Sequence, residues 1–306
     1  MGKINPNTDR LILTQDAYAT DMHLAVRMRT HELYTQPKVD YQRWVVDTIG
    51  WRSDAWVLDV GAGPGSYSAL VRERIPDGAY IAGDLSLGMA RQASAEGAPV
   101  LNLDVQHLPF AAATFDVVLA NHMLYHVPNV MRALRELKRV LKPTGLLVAA
   151  TNSAATMPEL ETLARRACTL LGYPRQEFIP IHRDFTLENG PGQAAHFFRA
   201  VARYDMPSAL HFPDVEPVMD YLNSMQAVHA PQLPPGVTWD EFMHVMEKQI
   251  ARLIRYYGEL QVQKLAGVIV ATNGGGFASE YLHGLNGGRK LRRGARTRHR
   301  VGHRGT

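Results

Sequence analysis

The feature that most constrains this chain is a glycine-rich turn, VLDVGAGPGSY, at residues 57–67. A short apolar run containing Asp59 leads into Gly61, Gly63 and Gly65 on alternate positions. Glycine adopts positive φ freely and has no Cβ, so such a turn can close tightly and let a ligand approach the bare peptide groups. An ordinary tight turn would also explain the glycines alone. Acidic residues further along the chain favour a nucleotide-like ligand.

Around this turn, short apolar segments alternate with segments of helical periodicity. The predicted strands cover residues 56–60, 79–83, 99–103, 115–120 and 145–150. The predicted helices between them cover residues 66–75, 85–95 and 127–141. This alternation predicts an α/β fold with a mostly parallel sheet and helices on both faces. The loops that follow the strands then share one edge of the sheet, where open α/β sheets bind ligands.

The flanking regions differ from this alternation. Helices are predicted at 16–31 and from Asp40 to Gly50, and after residue 151 the pattern predicts a helix from Pro158 to Gly172 and a last strand at 259–272. Between these, a strand is predicted at 201–212, interrupted by Pro207. We expect three parts: an N-terminal helical lid over 1–39, a ligand-binding domain over 40–272 with a cap insertion at about 151–190, and a Gly/Arg-rich tail over 273–306 that is predicted to be disordered.

The basic charge of the chain is concentrated in the tail. The chain has 33 Lys and Arg against 29 Asp and Glu, and eight of the basic residues lie between Arg289 and Thr306. Residues 1–288 therefore carry 33 − 8 = 25 basic groups against 29 acidic ones, which argues against a nucleic-acid-binding face on the body. Cys168 is the only cysteine, so no internal disulfide can form. With no apolar run long enough for a membrane helix and no secretory core, a cytoplasmic location without membrane association is predicted.

Three aspartates end the first three predicted strands of the alternating region. Asp59 can orient the glycine turn or balance a cationic ligand group. Asp84 lies nineteen residues after Gly65, where a carboxylate can accept hydrogen bonds from both hydroxyls of a ribose. Asp104, followed by Val105, can accept from an adenine amino group. Each acid alone could be a cap or a turn residue, whereas the three together with the turn indicate a nucleoside-containing ligand.

These motifs resemble the class I S-adenosylmethionine-dependent methyltransferases, in particular the small-molecule branch with quinone-biosynthesis and natural-product enzymes. The segments that carry the resemblance are 57–67, Asp84, NLD at 102–104 with LPF at 108–110, TFDVV at 114–118 and LKPTG at 141–145. It is strong over about 40–152 and weaker from there to residue 272. It implies a Rossmann-like, seven-stranded, mostly parallel sheet with an antiparallel last strand, and S-adenosylmethionine as the cofactor. A nicotinamide dinucleotide domain is disfavoured, because its G-x-G-x-x-G spacing differs from the G-x-G-x-G found here.

The resemblance also implies roles for individual residues. Gly61, Gly63 and Gly65 would cradle the methionine part of the cofactor, Asp84 would hold the ribose, and Asp104 with Val105 would hold the adenine. Further cofactor contacts are predicted for Asp59, for Leu85 and Met89 beside the adenine, for Asn121 at the methyl-donor end, and for Arg27 of the lid, which could pair with the methionine carboxylate.

The segment NHMLYH at 121–126 carries candidate catalytic groups. The candidates are His122, Tyr125 and, from the lid, His31; a histidine with a pKa near neutrality could act as a general base, or it could be structural. His122 and His126 have the spacing of a helical metal pair, but no further ligand completes it, so no metal is predicted. The segment lacks the Asn/Asp-Pro-Pro-aromatic motif typical of methyltransferases that act on nucleic-acid bases.

Acceptor contacts are predicted from aromatic and apolar residues in the lid, the active-site loop and the cap. They are Tyr18, Tyr34, Met123, Tyr173 and Phe185, for which packing is the alternative. The sequence thus predicts O- or N-methylation of a small molecule by a monomer or homodimer. C-methylation of a quinone, isoprenoid or aromatic ring is the alternative, and cofactor binding without catalysis is a further one.

Overall fold

Within the residues that the structure describes, an eight-stranded sheet organises the fold. The computed structural model describes residues 5–20, 22–95 and 100–274. The strand order across the sheet is β1-β7-β8-β6-β5-β2-β3-β4. The strands are β1 Thr35–Gln36, β2 Trp56–Val60, β3 Ala79–Asp84, β4 Val100–Asn102, β5 Phe115–Leu119, β6 Leu141–Asn152, β7 Ala200–Phe212 and β8 Leu260–Thr272.

Helices precede, connect and follow these strands. The α-helices are α1 Arg10–Ile12, α2 Met22–Tyr34, α3 Tyr41–Val46, α4 Ser68–Arg74, α5 Leu87–Ala95, α6 Val130–Val140, α7 Pro158–Leu170, α8 Gly190–Ala195, α9 Val215–Asn223, α10 Gln226–His229 and α11 Trp239–Tyr257. A π-helical turn covers Leu13–Ala17, and 3₁₀ turns cover Leu124–His126 and Ala230–Gln232. Among the described residues, no helix is both long and apolar enough to cross a bilayer.

The predicted seven-stranded sheet is present, with one addition. Strands β4, β3, β2, β5 and β6 are mutually parallel, and β8 lies antiparallel between β6 and β7. The added strand, β1, pairs Thr35 with Leu210 at the edge; two residues are too few to produce a periodicity in the sequence. Strand β7 continues through Pro207, because its second edge is paired only at Ala209 and Leu210, and proline is tolerated where an edge is free.

Alternating side chains of the strands supply two cores, one on each face of the sheet. In β5, for example, Val118 packs into one cluster and Val117 and Leu119 into the other. A third cluster lies between α7, α9, α11 and the adjoining ends of β7 and β8. The helical cap built on this third cluster therefore includes residues 215–257 as well as the segment after β6.

The N-terminal segment crosses the carboxyl edge of the parallel strands. In place of the single helix predicted over 16–31, a π-helical turn at Leu13–Ala17 precedes α2. Several contacts fasten the segment; among them, Ser86 Oγ donates to the carbonyl oxygen of Tyr18 over 2.7 Å, and Arg27 Nη1 donates to that of Ser224 over 2.7 Å. The segment and the cap thus enclose the edge where the glycine turn lies. Of the predicted tail, residues 275–306 lie outside the described residues.

Candidate active site

A cavity of about 890 Å³ lies between the carboxyl edge of the sheet, the N-terminal segment and the cap. We call its two parts the turn side and the cap side. The turn side is lined by residues of 59–67, 84–89 and 103–106. The cap side is lined by residues of 31–42, 152–157, 206–208, 221–228 and 264–266. The loop after β5, residues 121–128, lies between them.

The three glycines of the turn all adopt positive φ, of +66° at Gly61, +55° at Gly63 and +90° at Gly65. At Gly61 a Cβ would come within 2.7 Å of the Met123 side chain, so this glycine is also required for space. A Cβ at Gly63 would meet only Leu24, at 3.8 Å. Gly61 and Gly63 line the cavity, whereas Gly65 faces α5 and does not.

Asp84 links the glycine turn to the end of β3. Its Oδ2 accepts from the Gly63 N–H over 2.9 Å, and its Oδ1 accepts from the Ser86 N–H over 2.8 Å. Burial raises the pKa of this carboxyl, and hydrogen bonds from the backbone of Ser86, Gly63 and Leu85 oppose that shift. Each carboxylate oxygen retains a further lone pair, so Asp84 can accept from two additional donors in the cavity.

Asp59 and Asp104 both line the turn side but differ in environment. Asp59 is only 1% exposed and accepts a hydrogen bond from the Tyr80 hydroxyl over 2.7 Å. Burial raises its pKa to about 7. Asp104 lies at the rim, where its Oδ1 accepts from the Gln106 N–H over 2.9 Å and its Oδ2 pairs with Arg10 Nη1 over 3.2 Å. Asp104 can therefore accept one more donor without losing its backbone partner.

Apolar residues complete the turn side. Leu85, Met89 and Val105 line it, and Met89 and Val105 are buried. They form a surface suited to a flat apolar ring beside Asp104.

Asn121 presents an unsatisfied hydrogen-bond donor at the junction of the two sides. Its side chain is buried, and its Oδ1 accepts from the Ala150 N–H over 3.0 Å. Its Nδ2 has no hydrogen-bond partner among the described residues. Because a buried amide donor without a partner costs about 1–3 kcal/mol, this atom is available for a ligand acceptor.

His122 and His126 are both held by tyrosine hydroxyls. His122 has φ of +54°, and its Nε2 lies 2.9 Å from the Tyr41 hydroxyl. His126 Nδ1 lies 2.8 Å from the carbonyl oxygen of Asn7, and its Nε2 lies 3.0 Å from the Tyr18 hydroxyl. Since a carbonyl only accepts, Nδ1 of His126 carries the proton and Nε2 accepts from Tyr18.

Burial determines the charge state of this loop. It lowers the pKa of His122 and His126 to about 4, so both rings are neutral at pH 7. It raises the pKa of Tyr125 well above 10, so its phenol stays protonated. The near-neutral pKa expected for His122 is therefore not what its environment gives. No group of three or more metal-ligating side chains occurs within the described part of the chain.

The cap side contains a lysine that the sequence analysis did not single out. Lys264 Nζ donates to His31 Nδ1 over 3.1 Å and to Thr35 Oγ1 over 3.2 Å. Burial lowers the pKa of Lys264 to about 8 and that of His31 to about 3. The signal in the sequence was that Lys264 is the one charged residue of β8 and alternates with the apolar residues Val262 and Ala266.

Tyr41, His182 and Tyr221 are further cavity residues that sequence reasoning missed. His182 Nε2 lies 2.9 Å from Asn152 Nδ2, and its ring meets the Tyr125 ring edge-on at 4.5 Å. Tyr221 meets the His31 ring in the same manner, at 5.7 Å. These residues come from elements far apart in sequence, and no local pattern marks them.

Arg27 enters the cavity from α2. Its guanidinium lies 5.6 Å from the centroid of the Tyr18 ring and donates to the Ser224 carbonyl oxygen. Among the residues that the structure describes, no carboxylate forms an ion pair with it. Arg27 is thus a cavity cation whose charge is not neutralised by the protein.

Of the five predicted acceptor contacts, Tyr18 and Met123 line the cavity and three do not. Tyr34 stacks on Phe212 at 5.2 Å in the cap cluster, and Tyr173 is at the surface, donating to the Pro235 carbonyl oxygen over 2.9 Å. Phe185 is 1% exposed in the core beneath the sheet. An aromatic residue of the cap has the same sequence signature whether it faces a cavity or a core, so we leave these three out of the site.

A family model and similar known proteins agree on what this chain resembles. Residues 58–149 match the family described as "Methyltransferase domain". The chain is 33% identical over 207 residues to a malonyl-[acyl-carrier protein] O-methyltransferase of Geobacter sulfurreducens, covering 64% of this chain and 76% of that one. It is 39% identical over 108 residues to a demethylmenaquinone methyltransferase of Corynebacterium urealyticum, covering 35% of this chain and less than half, 46%, of that one.

Solved structures resemble the fold. A methyltransferase-like protein of Bacillus halodurans superposes with a TM-score of 0.51 at 17% identity, covering 75% of this chain and 97% of that one. The YcgJ protein of Bacillus subtilis gives a TM-score of 0.51 at 18% identity, covering 78% of this chain and 100% of that one. At these identities the likeness concerns the fold alone.

Proposed function

Because the chain belongs to the S-adenosylmethionine-dependent methyltransferases, we propose that it methylates a small molecule bound on the cap side of the cavity. The observation that carries this proposal is the continuity of the cavity. One continuous space runs from the glycine turn, past Asn121 and His122, to Lys264. A cofactor on the turn side and an acceptor on the cap side would meet at Asn121, shielded from bulk water by the N-terminal segment.

The residues of the turn side fit the cofactor in shape and in hydrogen-bonding chemistry. Gly61 and Gly63 line the cavity, and the space beside Gly63 is free of other atoms to 3.8 Å, so the methionine part can approach the turn there. Asp84 has acceptor capacity for both ribose hydroxyls. Asp104 can accept from the adenine amino group, between Met89 and Val105. Leu85 lies at the same wall. Gly65 would contribute by shaping the turn against α5.

The methionine end and the charged sulfur also find suitable partners. Arg27 has no carboxylate partner among the described residues and can pair with the methionine carboxylate. The unpaired Nδ2 of Asn121 can donate to that ligand. Asp59 has a pKa of about 7. A cation nearby would lower this pKa, because an opposite charge favours the ionised carboxylate.

When bound, S-adenosylmethionine supplies a methyl group already activated by a sulfonium. The task left to the protein is to align the acceptor atom about 3 Å from the methyl carbon and to exclude water. His122, hydrogen-bonded to Tyr41, positions the junction, and Tyr125 can donate a hydrogen bond to the acceptor. With a pKa of about 4, His122 is a weak base, so its role is positioning rather than proton removal.

O- or N-methylation is the favoured reaction. An oxygen or nitrogen atom attacks the methyl carbon with its own lone pair, so the protein needs to align it and to supply few further catalytic groups. The similarity to a malonyl-[acyl-carrier protein] O-methyltransferase supports oxygen as the acceptor atom. C-methylation of an activated ring is the second candidate, supported by the similarity to a demethylmenaquinone methyltransferase and by the apolar cap side. An acceptor from secondary metabolism remains our proposal for the substrate class.

We also propose a cytoplasmic enzyme, monomeric or homodimeric, that acts on neither nucleic acid nor membranes. The single cysteine, buried in α7, supports a reducing compartment, and the mildly acidic charge of residues 1–288 supports a small-molecule acceptor over nucleic acid.

Product analysis by mass spectrometry tests the proposed function. The protein is incubated with S-adenosylmethionine and matched acceptors that carry a carboxylic acid, a phenol, an amine or an electron-rich ring carbon. A gain of one methyl group on oxygen or nitrogen, with S-adenosylhomocysteine formed in equal amount, supports the proposal. Methylation confined to ring carbon would establish the second candidate instead. Turnover of a tRNA or DNA substrate alone would contradict both.

A further inference from the structure

We propose that Lys264 binds an anionic group of the acceptor, a carboxylate or an ionised hydroxyl, and so selects acidic acceptors. This inference rests on the proposed function, since it concerns the molecule held on the cap side. It is carried by the position of Lys264 in β8, by its partners, and by the charges that surround it.

Lys264 lies on a face of β8 that is otherwise apolar from Leu260 to Val270. Because strand residues alternate, this face carries Leu260, Val262, Lys264, Ala266, Val268 and Val270, and Thr272 ends the strand on the same face. Leu260 and Val262 pack into the cap cluster, and Val268 and Val270 pack into a core of the sheet. Between them, Lys264 and Ala266 line the cavity. A long cationic side chain in the middle of such a face has no packing role that an apolar residue would not fill better.

The partners of Lys264 leave its charge uncompensated. His31 Nδ1 and Thr35 Oγ1 accept its hydrogen bonds, and both are neutral groups. No carboxylate oxygen of the described residues lies within 4.0 Å of Nζ. A partly buried ammonium without an anion is costly, and the lowered pKa of Lys264 reflects that cost. A ligand anion would supply the missing partner, with two hydrogen bonds already fixing the direction of the amine.

The other groups that face this part of the cavity do not compensate the charge either. Two carboxylates line this part of the cavity: Glu32 forms no ion pair with Lys264, and Asp40 pairs with Arg43 over 3.6 Å. The further titratable groups of α2, of the loop after β5 and of α9 are neutral or cationic. They are His31 and Arg27 on α2, His122 after β5 and Tyr221 on α9.

Of the four basic residues that line the cavity, Arg10 pairs with Asp104, and Lys38 is exposed and donates to the Glu32 and Leu33 carbonyl oxygens. Arg27 and Lys264 are the other two. If Arg27 pairs with the cofactor carboxylate, Lys264 is left for an anion of the acceptor.

Two ligands of nearly the same shape, one anionic and one neutral, distinguish an effect of charge on binding from an effect of shape. The S-adenosylhomocysteine-loaded protein is titrated with cinnamate and with its neutral amide, cinnamamide, by calorimetry. We expect the wild type to prefer cinnamate, and Lys264→Met to bind cinnamate about ten- to hundredfold more weakly while its affinity for cinnamamide stays within about twofold. Lys138→Met, which removes one exposed lysine from α6, is the control for net charge and should bind cinnamate as the wild type does.

Proton uptake gives a second readout, independent of catalysis. Because an anion stabilises the charged amine, cinnamate binding near pH 8 should draw protons from the buffer. The uptake is measured as a difference in binding enthalpy between two buffers of unlike ionisation enthalpy. Lys264→Met should abolish it, and Lys264→Arg should abolish it while keeping the preference for cinnamate over cinnamamide, which also shows that the variant site is folded.

Two results would overturn the inference. One is a wild type that does not prefer cinnamate over cinnamamide, including the case in which it binds neither. The other is a preference that Lys264→Met retains. Both leave the proposed function standing if S-adenosylhomocysteine binds in the same samples, whereas absence of that binding would count against the proposed function itself.

Discussion

The backbone N–H of Gly63 donates a hydrogen bond to Oδ2 of Asp84 over 2.9 Å. This bond joins the glycine turn to the acid that ends the neighbouring strand, β3. The amide at Gly63 fixes the direction of the carboxylate, and the carboxylate in turn holds the turn open at positive φ. The two sequence features that indicated a nucleoside ligand are therefore parts of one hydrogen-bonded unit.

Replacing Asp84 with alanine should weaken cofactor binding by about 1–3 kcal/mol, because the ribose hydroxyls lose their acceptor. Calorimetric titration with S-adenosylhomocysteine measures the loss. Asp54→Ala removes an exposed carboxylate that pairs only with Arg52 and should leave the affinity unchanged. Equal affinities for Asp84→Ala and the wild type would remove Asp84 from the site.

Replacing Gly61 with alanine should destabilise the fold more than the same change at Gly236. Both glycines have positive φ, but a Cβ at Gly236 meets nothing within 4 Å, whereas one at Gly61 would come within 2.7 Å of Met123. We expect the free energy of unfolding to differ between the two variants by about 1–3 kcal/mol in urea denaturation. Adding Met123→Ala to Gly61→Ala should recover part of that difference. Equal losses for both glycines would show that Met123 does not restrict the turn.

Acid should destabilise the protein through its buried histidines. Burial lowers the pKa of five of them to between about 3 and about 4, namely His31, His122, His126, His182 and His229. Between about pH 4 and 6.5 the unfolded chain then binds more protons than the native one, so the free energy of unfolding falls as the pH falls through this window. Asp59 and Asp84, whose pKa values are raised by burial, contribute stability that is instead lost as the pH rises, but two carboxyls oppose five rings.

The variant His229→Gln removes one of these rings, and His229 does not line the cavity. Urea denaturation across this pH window should show a smaller dependence on pH than in the wild type. His196→Gln changes an exposed ring and should leave the dependence as it was. A free energy of unfolding that is constant from about pH 6.5 to 4 would contradict the neutral state assigned to the rings.

Removing residues 289–306 should leave cofactor binding and methyl transfer unchanged. The cavity-lining residues of the described chain end at Ala266, and the removed segment contains eight basic residues and no acidic ones. Activity of the truncated and full-length proteins is compared at low and moderate salt. A truncated protein that folds but no longer turns over would assign the tail a direct role.

The parts of the site that the sequence could predict are those set by the local backbone. Gly61, Gly63 and Asp84 occupy a strand–turn–helix unit whose spacing is fixed within one stretch of chain, and the structure places all three at the cavity. The sheet was predictable for the same reason, since each strand follows from its own periodicity. The two-residue strand β1 was not, because its pairing depends on β7.

Tertiary packing decides which residues line the acceptor side, and the sequence patterns did not predict them correctly. Tyr34 and Phe185 have the composition of a binding surface but pack into cores. Lys264 and Tyr41, which do face the cavity, come from β8 and α3, more than two hundred residues apart. Nothing local indicates that they meet. Only the position of Lys264 on a strand face whose neighbouring residues are apolar indicated it.

Binding of S-adenosylmethionine in the cavity is tested by calorimetric titration of the full chain with S-adenosylhomocysteine. We expect saturable binding of one ligand per chain, lost in large part in Asp84→Ala and kept in Asp54→Ala. A correctly folded wild-type protein that shows no heat of binding with either S-adenosylhomocysteine or S-adenosylmethionine would contradict it.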